Sequence, residues 1–240
     1  MPVALIIFFA LLFLLGILVV SHHFVKEKKR RTEFIRIAEE LGLSFSKKAD
    51  RAFRKRLKDF GRFASRGGKY RASPVGKYRY HANIINVLRD SRNGVEMVFF
   101  ECRQRWGKSG AMDSVFYFRS PSMNLPQFSL REMLPATQLL LGFMTPNSGI
   151  NLKNHPKFSE MYYLTSNNEK AVLKLFDDKL VSFLENQDGF HIEANHDEII
   201  IYTANTEYRT TNYRPYKRIE PHEFKQLRSS AIDIFEHFRA

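Results

Sequence analysis

Apolar residues fill positions 2–20 almost without interruption, and no Lys, Arg, Asp or Glu occurs before Lys26. Roughly 20 apolar residues in a helix cross a hydrocarbon core of about 30 Å, so this stretch predicts a membrane-spanning helix. The alternative, a buried helix of a soluble domain, fails because no face is polar and a helix apolar all round must be enclosed by lipid or a large core. Nothing basic precedes the run, and no small-x-small site follows at Val19-Val20-Ser21-His22. The segment therefore reads as an uncleaved anchor rather than a secretory signal.

The period then changes. Phe34, Ile37, Ala38 and Leu41 fall at i, i+3, i+4 and i+7, with Gly42 placed as a helix stop. Phe53, Leu57 and Phe60 repeat the spacing in a second short helix, among Arg54, Lys55, Arg56 and Lys58. A basic amphipathic helix can lie in a membrane surface; stripes this narrow are expected to pack on their own domain. Residues 61–76 read as a basic, glycine-rich connector. Gly68-Lys69 does not make a phosphate-binding loop, because Phe63 and Tyr70 stand where that motif needs Gly and Ser/Thr.

From Ala82 the pattern is that of strands. Residues 84–88 and 95–102 flank Asn93-Gly94, a strong hairpin signal. With those two residues as the turn, Ile85, Val87, Val98, Phe100 and Cys102 share one face, expected to be core. Trp106-Gly107-Lys108-Ser109-Gly110 makes the next turn, and residues 115–119 a third strand. Residues 125–130 form a fourth, placed at a sheet edge because of Pro126. Residues 139–143 suggest a short helical turn. Asn168 caps a helix with the stripe Val172, Leu175, Phe176, Leu180, Phe183 and Leu184, closed by Asp188-Gly189. A hairpin follows, residues 190–194 and 199–203, turning at Asn195-His196-Asp197. A last helix has Pro221 in its first turn and buries Phe224, Leu227, Ala231, Ile234, Phe235 and Phe238. Strands, helix, hairpin and helix without a repeated βαβ unit predict an α+β fold: an N-terminal transmembrane helix, a basic helical neck, and a mainly antiparallel sheet with two packed amphipathic helices. The expected division is an anchor at 1–25, a neck at 26–80 and a domain at 81–240.

Charge sharpens that division. The formal net charge is +13. All of it falls in residues 26–79, which hold 19 basic and 6 acidic residues, while residues 80–240 hold 19 of each. Lys26, Lys28, Lys29, Arg30 and Arg31 follow the span directly. By the positive-inside rule they place the N-terminus outside and the domain in the cytoplasm. They are also candidate contacts to anionic headgroups, each basic residue near the surface contributing about 1 kcal/mol. The lone Cys102 excludes an intrachain disulfide, which suits a reducing compartment.

Candidate chemistry is sparse. In the hairpin register above, Cys102 and His81 lie more than about 13 Å apart, out of hydrogen-bonding reach, so Cys102 reads as a small buried hydrophobe. The eight histidines are scattered, without metal-ligand spacing. His191 and Glu193 share a strand face, a pairing common by chance. Asp177-Asp178 reads as a solvated helix face and Asp197-Glu198 as turn residues. No catalytic, cofactor-binding or metal-ligating residue is assigned, and no cofactor is expected. Residues 208–218 interleave Tyr208, Arg209, Tyr213, Arg214, Tyr216 and Arg218. The favoured reading is an extended hairpin or an ordered loop whose tyrosines cover the core. A protein-binding surface rich in hot-spot residue types comes next, and nucleic-acid contact last.

Leu41-Gly42-Leu43-Ser44-Phe45, Leu125-Pro126-Gln127-Phe128-Ser129-Leu130 and His155-Pro156-Lys157-Phe158, set behind an N-terminal span and a basic neck, resemble a group of bacterial membrane-anchored proteins. The resemblance implies a bacterial inner-membrane setting and an α+β domain. It implies no activity and no site residue. The expected function is that of a binding or scaffold domain with a membrane, lipid or protein partner. A membrane-associated hydrolase and a membrane-tethered nucleic-acid binder are the alternatives.

Overall fold

A computed structural model of the chain describes residues 2–60, 63, 83–106, 109–133, 149–187, 189–203 and 218–239. The expected connector, the turn at Gly107-Lys108, the helical turn at 139–143, His81 and most of the Tyr/Arg loop lie outside these residues.

Helix α1 (Pro2–Leu41) is one unbroken helix of 40 residues. The anchor and the first neck helix thus form a single rod, because no Gly or Pro between residues 17 and 41 interrupts its hydrogen bonds. It is long and apolar enough to span a membrane. Its described side chains up to Lys26 are exposed, while Arg30, Phe34, Ile37 and Ala38 are buried against the domain. Gly42, at φ +66°, ends it. Gly42 N–H donates to Glu39 O and Leu43 N–H to Ala38 O, the paired bonds of a Schellman cap.

The chain then enters an eight-stranded sheet: β1 (Ser44–Lys48), β2 (Asn83–Arg92), β3 (Val95–Trp106), β4 (Ser109–Arg119), β5 (Leu125–Glu132), β6 (Tyr162–Ser166), β7 (Phe190–His196) and β8 (Glu198–Thr203). The order is β1-β2-β3-β4-β8-β7-β5-β6, with every neighbour antiparallel. Among the described residues five more helices follow: α2 (Arg51–Arg56), extended by a 3-10 turn at Leu57–Asp59, α3 (Pro156–Met161), α4 (Glu169–Leu175), α5 (Asp178–Leu184) and α6 (Phe224–Arg239). The α+β class and antiparallel sheet are those the element order predicts.

Three local expectations need correction. Strand β2 keeps the predicted register only from Leu88 onward; a bulge then moves the pairing to Ile85↔Glu101 and Ile84↔Cys102. Asn86 sits in the bulge at φ +50°. Ile84 therefore takes the core position expected of Ile85. Strand β5 is not an edge: it lies between β7 and β6. Pro126 is tolerated because it falls in the irregularity between Leu125 and Phe128 of the β5–β7 pairing. The helix expected over 168–184 is two helices. Asp177 leaves helical geometry at ψ 170°, and its carboxylate accepts from Leu180 N–H, starting α5 afresh. The stretch expected to be a neck packs on the sheet, as its apolar stripes predict. It supplies β1, part of α1 and the α2 segment.

That last point follows from a sheet buried on both faces. On one face Leu88, Phe99, Phe116, Phe118, Ile199 and Ile201 pack under α1, α6 and α4–α5. Phe34 contacts Phe99 and Phe224 at ring-centroid distances of 5.3 and 6.1 Å. On the other face Val87, Val98, Phe100, Cys102, Tyr117 and Ile200 lie beneath Phe53, Leu57, Phe60 and Phe63. The second apolar stripe thus packs on its own domain.

Candidate functional site: a charge cluster where the anchor helix meets the sheet

Glu101 interrupts the apolar run of β3 on the face covered by α1, and its side chain is 0% exposed. A buried carboxylate is stable only if paired and hydrogen-bonded. Here five donor atoms surround it. Arg30 of α1 reaches Glu101 Oε1 through Nε at 2.9 Å and Nη2 at 2.5 Å. Arg218 reaches Oε1 through Nε at 2.7 Å and Oε2 through Nη2 at 3.0 Å. The bulge residue Asn86 donates its Nδ2 to Oε2 at 2.6 Å. Burial alone would raise the Glu101 carboxyl, but Arg218 and Arg30 outweigh it and hold it below the usual carboxylate range.

The cluster extends to both sides. Arg218 also grips Glu27 of α1 in a two-pronged pair at 2.6 and 2.8 Å. Arg30 donates to Glu220 Oε2 at 3.0 Å and to the Ile219 carbonyl, and its guanidinium lies 5.2 Å from the centre of the Phe34 ring. Ile219 N–H donates to Ser114 Oγ of β4 at 3.1 Å. Two arginines and three glutamates therefore tie α1, β3 and the segment entering α6 together, just beyond the apolar half of α1.

Several predicted site residues move as a result. Arg30, expected at headgroups, is 6% exposed and committed to Glu101 and Glu220. Arg218, expected in a partner-binding loop, turns inward to Glu27 and Glu101. Lys26, Lys28 and Lys29 are exposed and Arg31 is half-buried. Tyr208, Arg209, Tyr213, Arg214 and Tyr216 lie outside the described residues. Glu101 itself was not singled out from sequence. The signal available was a lone carboxylate within Val98-Phe99-Phe100-Glu101-Cys102, a residue type almost never buried without a partner.

The other polar groups are also structural. Tyr117 O–H donates to Glu198 Oε1 at 2.7 Å, and burial pushes both groups up from their ordinary values. Glu198 is a buried residue beside the hairpin turn; its neighbour Asp197 pairs with Arg119 at 2.7 Å. Asp177 caps α5, while Asp178 is exposed beside His155. Tyr202 O–H donates to Glu193 at 2.9 Å, and His191 Nδ1 accepts from Glu132 N–H at 3.1 Å. A cleft of about 260 Å³ is lined by Asp59, Gln127, Arg131, Thr165, Asn167 and Glu193, with no histidine. That is below the roughly 300–1,000 Å³ of ordinary ligand pockets. Among the described residues no group of three or more His, Cys, Asp and Glu could hold a metal ion.

No family model matches the sequence, and no curated protein matches it. Among solved structures the chain is similar to the mycobacterial trehalose monomycolate transport factor A, TtfA, with a TM-score of 0.51 and 13% sequence identity. The likeness covers 88% of this chain and 91% of that one. At this identity what is shared is the fold: one sheet-and-helix architecture along nearly the full length of both chains.

Proposed function

We propose that this protein is a single-pass, membrane-anchored binding domain that acts as a non-catalytic scaffold at the cytoplasmic face of a bacterial inner membrane. The observation that carries the reading is the continuity of α1, which passes from its exposed apolar half into the domain core without a joint. The Arg30–Glu101–Arg218–Glu27 cluster supports it by fixing the rod to the sheet. A flexible linker would let the domain wander; a rod holds it at one height and one orientation. TtfA, whose fold this chain shares, is a transport factor, which supports an accessory role rather than a catalytic one.

In this reading Lys26, Lys28, Lys29 and Arg31 face the anionic headgroups. Tyr208, Arg209, Tyr213, Arg214 and Tyr216 remain the proposed partner contacts. Arg218 leaves that set because its guanidinium is held by two glutamates. The nucleic-acid alternative needs Arg209, Arg214 and Arg218 on one outward face, so it loses support at the same residue.

Photo-crosslinking of the full chain in its native membrane tests the proposal, with probes at the exposed positions Lys170 and Lys174 and at Tyr213. A discrete membrane-protein adduct is expected. Turnover of a small molecule by the purified protein, with no adduct formed, would refute it. A C-terminal reporter active only outside the membrane is expected to be silent.

A further inference from the structure

Helix α2 and its 3-10 extension bury Phe53, Leu57 and Phe60 on the sheet face opposite α1. Arg51, Arg54, Lys55 and Lys58 occupy the other side and are exposed. None of these four pairs with a carboxylate among the described residues. The neighbouring acids are already engaged. Asp50 caps α2 at Phe53 N–H and pairs with Arg89 at 2.6 Å. Glu96 takes Arg56 at 2.8 Å and Arg89 at 3.4 Å, and Asp59 lines the polar cleft. The cations of α6 are matched instead: Lys225 with Glu40, Arg228 with Asp90 and Arg239 with Glu236.

Neither folding nor topology accounts for this face. Arg51 and Lys55, and Arg54 and Lys58, are like charges four residues apart, a spacing at which they repel along a helix. The first turn of α2 holds no acid, although the helix dipole favours one there. The positive-inside rule counts charges within about 15–20 residues of a span, and Arg51 lies further than that from Val20. Such a surface gains when an anionic partner covers it.

The fold also sets where the face looks. Helix α1 touches the sheet from Leu41, at Arg92, through Phe34, at Phe99, to Arg30, at Glu101. Its axis therefore runs along one sheet surface, and the opposite surface faces at right angles to that axis. With α1 crossing the bilayer at the usual tilt of about 20°, the outer side of α2 looks sideways along the membrane rather than down onto it. Phe53 and Phe60 are turned into the core, so this side lacks the aromatic platform on which single-stranded nucleic acid stacks.

We infer that the outer face of α2, made of Arg51, Arg54, Lys55 and Lys58, docks an Asp/Glu-rich cytoplasmic segment of a neighbouring membrane protein. The inference deepens the binding-domain reading and rests on it.

The probe is a fluorescein-labelled oligoglutamate peptide, titrated by anisotropy against the full chain in phosphatidylcholine nanodiscs at low salt. Saturable binding is expected, weakening as salt rises. Arg51→Glu with Arg54→Glu should weaken it about tenfold or more. The charge-matched control Lys153→Glu with Lys157→Glu, at exposed positions elsewhere, should leave it within about twofold. The first variant sets a glutamate four residues ahead of Lys55 and of Lys58, the favourable order on a helix, so its Tm should equal or exceed that of wild type. Weaker binding with an undiminished Tm sustains the inference. Equal loss in both variants, or a lowered Tm in the first, overturns it. Tighter binding of a DNA oligonucleotide through the same two arginines overturns it in favour of nucleic acid. Quenching of a bimane at Lys58→Cys by nitroxide lipid overturns it in favour of the bilayer; Cys102 is buried and leaves that label specific. If oligoglutamate fails to bind while crosslinked adducts still form at Lys170 or Lys174, the inference falls alone. If both are absent, the binding-domain reading falls with it.

Discussion

Substituting Glu101 by Gln removes one charge and little else, and it tests the junction most directly. Wild-type Glu101 accepts from Arg30, Arg218 and Asn86. In Glu101→Gln the Asn86 contact has a neutral acceptor, while buried Arg30 keeps the Ile219 carbonyl and, as its one carboxylate partner, Glu220, itself 54% exposed. Arg218 keeps Glu27. Charge-assisted hydrogen bonds contribute about 1.5–3 kcal/mol each, but desolvation of Glu101 offsets much of their sum. Measured losses of one partner from a buried ion pair are about 3–5 kcal/mol. In a domain of this size each kcal/mol lowers Tm by about 2–4 °C, so a fall of about 6–20 °C is expected at pH 7. Thermal unfolding of the full chain in nanodiscs, followed by circular dichroism, measures it.

Acid supplies the control. The Glu101 carboxyl is held below its usual range, so its contribution is fully present above about pH 4.3 and is lost as pH falls through the folded value. Wild type and variant should therefore converge on acidification. A Tm within about 3 °C of wild type at pH 7, or a gap unchanged by acid, would refute the reasoning.

Three further outcomes follow from single side chains. Glu198 is shifted upward by burial, so stability is lost as pH rises through the window above its ordinary value; Glu198→Gln should abolish that slope and be neutral or stabilising at pH 7, read by urea melts across pH 4–7. Asp177→Ala removes the cap that starts α5 and should cost about 0.5–2 kcal/mol, whereas Asp178→Ala, at a 94% exposed side chain, should stay within about 0.5 kcal/mol. Asn86 holds φ +50° in the β2 bulge, so Asn86→Ala should be worse than Asn86→Gly by about 1–2 kcal/mol, the backbone cost that glycine escapes; equal losses in denaturant melts would show that the lost Glu101 hydrogen bond alone matters.

Features governed by local physics could be read from the chain itself. A first helix long and apolar enough to span a membrane is a matter of composition, the end of α1 is a glycine in the left-handed region, and Asn93-Gly94 selects its own turn type. The closing helix and its buried stripe from Phe224 to Phe238 follow from a 3.6-residue period. The misses share one cause. Neither Ile85 nor Ile84 announces which will face inward, because the shift depends on Asn86 satisfying Glu101 across the sheet. Likewise, Pro126 reads as an edge until β6 and β7 supply neighbours on both sides. Ser44-Phe45-Ser46-Lys47-Lys48 has one apolar residue and becomes a strand only because β2 offers it a ladder.

The candidate site was the least legible part for the same reason. Glu101 is 71 residues from Arg30 and 117 from Arg218, and nothing in one neighbourhood specifies the other. The sequence determined that an apolar helix meets a strongly basic stretch at residue 26, since both are properties of composition along a short segment. Only the tertiary structure decided which of those charges stay in water and which are buried. That choice is made by desolvation, which drives Arg30 and Arg218 onto the Glu101 carboxylate that β3 has buried.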